Sequence, residues 1–412
     1  MVGAGVLVLA LTSVAFVSAP VQNHLRAAAL LLRIANPQQH SGVAKYGTHP
    51  VKDSEIVFFG LSPSPIHARL YMPLGVTNPP GMIVVHGVHH LGMNEPRLVN
   101  FAHAFSASGV AILTPELPGI ADYHVDRQSI DVIGSSAHEL QRRLHTRRVG
   151  VMGLSFSGGL SLLAAADPRF AADFSYVVAV GAHDDLARVS RFFVNNHIFR
   201  PDGSVQQLQA HDYGALVLVY SHLNDFFSPA DVGNARLTLR SLLYEDVPLA
   251  QKEMQQLSPQ ARGRMQLLFD HKIRAIAPEL LKDIDAHQKE MAAVSPAGKL
   301  SRLGADVLLL HGAGDDVIPA SETLWLAKEV PPEHLKNALI TPVLSHVNMT
   351  DGPSIVDRAK VVHFIAEMLE EARESNRGTS VDTSGGGTGR EFYFLPNSES
   401  ILPTWSFGPW SH

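Results

Sequence analysis

Val149-Gly150-Val151-Met152-Gly153-Leu154-Ser155-Phe156-Ser157-Gly158-Gly159 is an apolar run of strand length that ends at a serine among small residues and passes at once into a helix-like pattern. A strand that hands a serine to a sharp reversal needs small neighbours, because the backbone closes on itself there. The hydroxyl is then left at the top of a sheet, beside a helix N-terminus that favours developing negative charge. Such turns usually carry glycine two residues after the serine. Here that position is Ser157, with Gly158 and Gly159 behind it. Ser155 is the candidate nucleophile, and Ser157 is the alternative, set back inside the helix pattern.

A serine hydroxyl is a weak nucleophile at neutral pH and needs a histidine base, which in turn needs a carboxylate to fix its tautomer. Downstream, Ala305-Asp306-Val307-Leu308-Leu309-Leu310-His311-Gly312 reads as a buried strand, followed by the loop Ala313-Gly314-Asp315-Asp316-Val317-Ile318-Pro319. An acid just past a strand end can reach across the top of a parallel sheet, which selects Asp315, with Asp316 as its competitor on the same turn. A further strand over Asn337 to Leu344 runs into Ser345-His346. With 22 histidines in 412 residues, a nearby imidazole proves little, but only His334, His346, His363 and His412 follow Asp315. His334 precedes the last strand, His363 sits in a helix-like run and His412 ends a polar tail, which leaves His346.

Upstream, the short strand Gly81-Met82-Ile83-Val84-Val85 ends in His86-Gly87-Val88 and the loop His89-His90-Leu91-Gly92-Met93-Asn94. Acyl transfer needs backbone N–H donors aimed at the tetrahedral oxyanion, and Val88 and Phe156 are the candidates. Taken together, His86-Gly87, Glu116-Leu117-Pro118-Gly119, Gly153-Leu154-Ser155-Phe156-Ser157-Gly158-Gly159, His311-Gly312-Ala313-Gly314-Asp315 with Pro319, and His346 resemble the α/β-hydrolase superfamily. The likeness covers roughly residues 50 to 373 and is to serine esterases and dienelactone-hydrolase-like proteins. It implies a mostly parallel, doubly wound α/β sheet with a helical cap. It also implies ester cleavage through a Ser155–His346–Asp315 triad and an acyl-enzyme, with water releasing the acyl group. Thioester or amide cleavage and acyl transfer use the same groups, and a non-catalytic binding protein on this fold is the competing class. Only about 80 residues precede the oxyanion strand, too few for the propeller of a prolyl-oligopeptidase.

Composition narrows the partners. A net charge of −6 and a pI near 6.4 argue against nucleic acid, and no basic cluster interleaved with aromatics is present. The expected partner is a small-molecule ester or acyl substrate. Cysteine is absent, which removes disulfides, thiolate metal sites and a cysteine nucleophile. The chemistry expected needs no cofactor. The local clusters His89-His90, His183-Asp184-Asp185 and Asp315-Asp316 lack the spacing of a closed metal site, so no metal is expected there.

Val2 to Val21 holds no charged side chain, and about 20 such residues suffice to cross a bilayer as a helix. The expectation is an uncleaved membrane anchor within residues 1–35, with export after signal-peptide cleavage as the alternative. His24 to Ile34 reads as a second helix lying at the interface; Arg26 and Arg33, on the C-terminal flank of the anchor, favour a cytoplasmic catalytic domain.

Strand and helix patterns alternate over 50–185 and resume over 301–373, the mark of a sheet covered on both faces. Between them, 186–300 is rich in Leu, Gln, Ala and Arg at helical spacing and reads as a helical cap overhanging the serine. Phe192, Phe193, Tyr213, Phe226 and Phe227 are candidates to line an apolar acyl pocket, though ordinary cap core is the simpler reading of each. The segment 374–412 starts Gly/Ser/Thr-rich and ends aromatic, with Phe392, Tyr393, Phe394, Trp405, Phe407 and Trp410, and reads as a flexible tail.

Overall fold

Runs of β-branched and aliphatic residues bounded by glycine, proline and polar clusters form the strands of a single large sheet. The computed structural model describes residues 19–36, 41–345 and 352–377. The eight strands lie in the order β1-β2-β4-β3-β5-β6-β9-β10. They are β1 (Val51–Phe59), β2 (Pro65–Pro73), β3 (Gly81–Val85), β4 (Ala111–Pro115), β5 (Val149–Leu154), β6 (Phe174–Val180), β9 (Asp306–Gly312) and β10 (Leu335–Thr341). β1 and β2 form an antiparallel pair, β2 meets β4 antiparallel, and every pairing from β4 to β10 is parallel. β3, β4 and all but the last residue of β5 are buried throughout, as expected of strands covered on both faces.

Helices α1 (Ala19–Ala35), α2 (Pro96–Ser106) and α15 (Ile355–Arg377) cover one face; α3 (Pro118–Ala121), α4 (Gln128–Leu144), α5 (Phe156–Ala166) and α14 (Ser321–Glu329) complete the αβ layers. Gly150 is required in β5 because a Cβ there would run into the Tyr176 ring on β6.

The segment between β6 and β9 packs as a block of helices with its own apolar core. It contains α6 (Leu186–Asn195), α7 (Tyr213–Ser221), α8 (Leu223–Phe226), α9 (Val232–Leu243), α10 (Val247–Met254), α11 (Pro259–Phe269), α12 (Ala277–Ala286) and α13 (Gln288–Ala293). It is not purely helical. A hairpin of β7 (His197–Phe199) and β8 (Val205–Gln207) turns at Pro201-Asp202-Gly203, where Gly203 has φ +85°. The Asp202 carboxylate accepts from the Ser204 N–H at 2.9 Å, the local bonding that favours such turns.

Two elements depart from the sequence expectation. β10 stops at Thr341 rather than running to Leu344, because Pro342 has no N–H to give the ladder. The second N-terminal helix packs its apolar stripe against the body of the protein. α1 buries Ala27 and Leu30 completely against α2 and α15, so its apolar stripe is spent inside the protein. Arg33 donates to the carbonyls of Ala44 at 2.9 Å and Ala104 at 3.3 Å, which ties the helix end to the body. No helix among the described residues is long and apolar enough to cross a membrane. Of the apolar stretch Val2 to Val21 only residues 19–21 are described, as the start of α1, and the remainder and the aromatic tail lie outside the described residues. Residues 374–377 continue α15.

Leu30 is wholly buried, so Leu30→Ala should lower stability by about 2–5 kcal/mol, read as a shift of the urea midpoint. A change near zero would mean that α1 does not dock as described.

Candidate active site

Ser155 is the hinge between β5 and α5, with φ 58° and ψ −134°, a region in which side chains other than glycine are rare. The neighbours make the turn compulsory. A Cβ on Gly153 would overlap the Ser157 carbonyl, one on Gly158 would come to 2.6 Å from Ala182 Cβ, and one on Gly159 would enter the His183 ring. The Ser155 N–H donates to the Val180 carbonyl at 2.8 Å, which anchors the turn to the end of β6. Ser157, standing where glycine is usual, uses its hydroxyl: wholly buried, it donates to the His86 carbonyl at 2.6 Å. It is a positioning group for the turn, and Ser155 stands at the turn itself.

The loop after β3 closes over this hinge. A Cβ on Gly87 would lie 3.4 Å from Ser155 Cβ, so the loop backbone runs directly beside the serine. His86 is buried with Nδ1 2.8 Å from the Gly87 carbonyl, and its Nε2 accepts from the Leu117 N–H at 3.0 Å. Burial lowers its pKa, and with both ring nitrogens engaged the neutral imidazole braces the loop. Farther along, the Glu116 carboxylate accepts from the Met93 N–H at 2.7 Å, and Gly92 at φ +49° leaves room for that carboxylate. Val88 is half-buried in this braced loop. Phe156, as the first residue of α5, has an N–H that helix geometry leaves without an intrahelical acceptor. His89 and His90 stack on each other at 4.6 Å, and His90 stacks on Tyr244 of the cap at 4.4 Å. Burial lowers the pKa of both.

Asp315 lies just past β9 and is 1% exposed. Its Oδ1 accepts from the N–H groups of Val317 at 2.9 Å and Ile318 at 2.8 Å, and Oδ2 lies 3.2 Å from His311 Nε2. His311 is itself held between Thr323 Oγ1 at 2.7 Å and the Ile318 carbonyl at 2.8 Å. Asp316 is less buried, and its carbonyl accepts from the cap residue His211 at 2.8 Å. A Cβ on Gly312 would overlap the Ser345 carbonyl, so the loops after β9 and β10 are pressed together. His346, the candidate base, lies outside the described residues.

No protein-family model and no curated protein matches the chain. Among solved structures, a protein of Legionella pneumophila subsp. pneumophila described as a presumed hydrolase superposes with a TM-score of 0.51 at 14% identity, over 89% of this chain and 97% of its own. The chain has an α/β-hydrolase fold. Puromycin hydrolase aligns at 14% identity over 87% of this chain (TM-score 0.47), and Pyrococcus horikoshii acylaminoacyl peptidase at 12% over 82% (TM-score 0.45). The chain spans 42% and 43% of the length of those two proteins.

The α/β-hydrolase fold sets Ser155, Asp315 and Ser345 after β5, β9 and β10, strands that follow one another in the sheet as β5-β6-β9-β10. Among the described residues a cavity of about 580 Å³ reaches Ser155, Gly87 and Val88. Its wall includes Leu31 of α1, Leu98 and Phe101 of α2 and Phe364 of α15, and no described residue of the cap. Phe192, Phe193, Phe226 and Phe227 pack inside the cap core rather than in this wall, while Tyr213 faces Tyr123 at 5.8 Å.

The cap is latched at the end of β6 by the cluster His183-Asp184-Asp185. His183 is buried, with Nε2 2.9 Å from the Val294 carbonyl, and Asp185 caps α6 by accepting from the Arg188 N–H at 3.0 Å. Arg188 bridges Asp184 at 2.9 Å and Glu322 of α14 at 2.7 Å, and its guanidinium lies 4.5 Å over Trp325. Glu322 also accepts the N–H groups of Asp184 and Asp185. One cation between two buried acids leaves a surplus negative charge. Burial, reinforced by Glu322 and opposed by Arg188, pushes Asp184 up to about 7.

Two outcomes follow from this geometry. Ser157→Ala should cost about 1–3 kcal/mol by stripping the buried His86 carbonyl of its donor, measured by urea unfolding. Asp184 holds its proton in the fold where the unfolded chain has lost it, so its contribution is full below about pH 4 and fades as pH rises through about 7. Asp184→Asn, which does not ionise, should therefore gain on the wild type in urea midpoint as pH rises from about 4 to about 7 and hold that gain above; a constant difference would contradict the assignment.

Proposed function

We propose that the protein is a serine hydrolase that cleaves carboxylic esters, with Ser155 as nucleophile, His346 as general base and Asp315 as the carboxylate that orients it. The observation that carries this reading is the strained hinge at Ser155, held against the Gly87 backbone at the head of a new helix. Strain of this kind costs stability and persists where the surroundings enforce it, commonly at reactive groups.

In the proposed reaction His346 takes the Ser155 proton as Oγ attacks the ester carbonyl. The N–H groups of Val88 and Phe156 hold the oxyanion, and the alkoxide leaves with the proton from His346. Water, deprotonated by the same imidazole, then releases the acid. Two facts support this role for Asp315: its Oδ1 is pinned by two backbone N–H groups, and the end of β9 just before it is pressed against Ser345. The apolar walls of the cavity at Ser155 favour esters with an apolar acyl chain.

A fluorophosphonate probe should label the wild type and leave Ser155→Ala unlabelled, while Asp315→Asn should lower kcat on p-nitrophenyl esters by about 10⁴-fold. Amide and thioester analogues in the same assay separate ester cleavage from its relatives. Labelling that survives Ser155→Ala overturns Ser155 as the nucleophile, and no labelling of folded wild type overturns the proposal in favour of a binding protein on this fold.

A further inference from the structure

The turn after α7 and the break between α12 and α13 bring five chemistry-bearing side chains together inside the cap, remote in sequence from Ser155. His222 ends α7 and Asp225 lies in α8; Asp283 lies in α12, His287 at the break and Glu290 in α13. The two imidazoles stack with centroids 3.7 Å apart and planes 11° apart. His287 Nε2 lies 2.9 Å from Asp225 Oδ2 and 3.6 Å from Asp283 Oδ1. On its other side, His287 Nδ1 lies 3.1 Å from Glu290 Oε2. His222 Nδ1 lies 2.8 Å from Asp283 Oδ2.

One atom in this group is anomalous. The Asp283 side chain is 2% exposed, yet its Oδ1 has no hydrogen-bond partner among the described residues. Buried carboxylate oxygens are almost always satisfied, so an orphan aimed into a cluster of donors and acceptors calls for an explanation. One ligand atom from each of Asp225, Asp283 and His287 lies within 4.8 Å of the other two.

We infer that Asp225, Asp283 and His287 bind a divalent transition-metal ion, zinc by the nature of the ligands, that braces the cap. An ion with ligands at about 2.0–2.1 Å in tetrahedral array holds them about 3.3 Å apart, and the 2.9 and 3.6 Å separations bracket that value. The far end of two ligands is already fixed as such a site requires. Glu290 accepts the Nδ1 proton of His287 and so leaves Nε2 its lone pair, while His222 donates to Asp283 Oδ2 and leaves Oδ1 to the ion. Asp225 is 52% exposed on its side chain, which gives the ion an entry path and leaves its fourth position open to solvent. The ion joins residues 62 apart in sequence and so ties α8 to the α12–α13 break. The rival occupant is a proton. Burial opposes protonation of His287, but Asp225, Glu290 and Asp283 together outweigh it and raise the pKa.

The test is calorimetric titration of the chelator-treated full chain with zinc sulfate at neutral pH, paired with thermal melts. The wild type should bind one zinc ion at micromolar or tighter affinity that Asp225→Asn and Asp283→Asn each weaken about 100-fold, and zinc should raise the wild-type Tm but not that of either variant. His222→Leu should weaken binding about 10–100-fold by releasing the Asp283 carboxylate. Asp225 is exposed, so its substitution reports on the ion even if Asp283→Asn fails to fold. No saturable site, or a site that survives Asp225→Asn unchanged among the other histidines, overturns the inference and leaves a proton-held network.

Discussion

A serine forced to φ 58° has to be held there by everything around it, and in this chain the surrounding architecture reads as the means of holding it. Gly153, Gly158 and Gly159 have no side chains because the Ser157 carbonyl, Ala182 and the His183 ring occupy the space. The Ser155 N–H is tied to Val180 on the neighbouring strand, and Ser157 reaches back to His86 on the other neighbour. The hinge is thus fastened to both strands that flank β5. Loosening either tie would let the serine relax toward an ordinary helix start, away from the Gly87 backbone.

The same fastening propagates outward. His183, whose ring excludes a side chain at Gly159, also bonds the Val294 carbonyl at the exit of the cap. Asp184, Arg188 and Glu322 then lock the entrance of the cap to α14. Entry and exit of the inserted helices are therefore pinned within a few residues of the helix that Ser155 heads. On the other flank, α1 supplies Leu31 and Ile34 to the cavity wall, so a helix that looked like a membrane neighbour is part of the body.

Most of the sheet was legible because continuous apolar runs between glycine and proline signals have few alternatives to a buried parallel strand, as in Val149 to Leu154 and Asp306 to Gly312. The turn at Ser155 and the loop at Asp315 were legible for the same reason, each sitting at a strand end. What escaped depended on contacts between distant residues. The β7–β8 hairpin was hidden inside a helix-rich stretch despite its Pro-Asp-Gly turn, and α1 showed an apolar face without showing what would cover it. His222 and Asp225 lie about 60 residues from Asp283 and His287, so no local spacing could reveal that they meet. Ser157 looked like a weakened motif; its hydroxyl has a buried acceptor that no sequence window contains.

The most direct trial of this account is the crystal structure of the protein after reaction with an ethyl p-nitrophenyl alkylphosphonate. The account predicts phosphorus bonded to Ser155 Oγ, its oxyanion oxygen within about 3 Å of the Val88 and Phe156 N–H groups, and the His346 imidazole between Ser155 and Asp315. Phosphorus on another residue, or an adduct at Ser155 whose oxygen meets neither N–H, would contradict it.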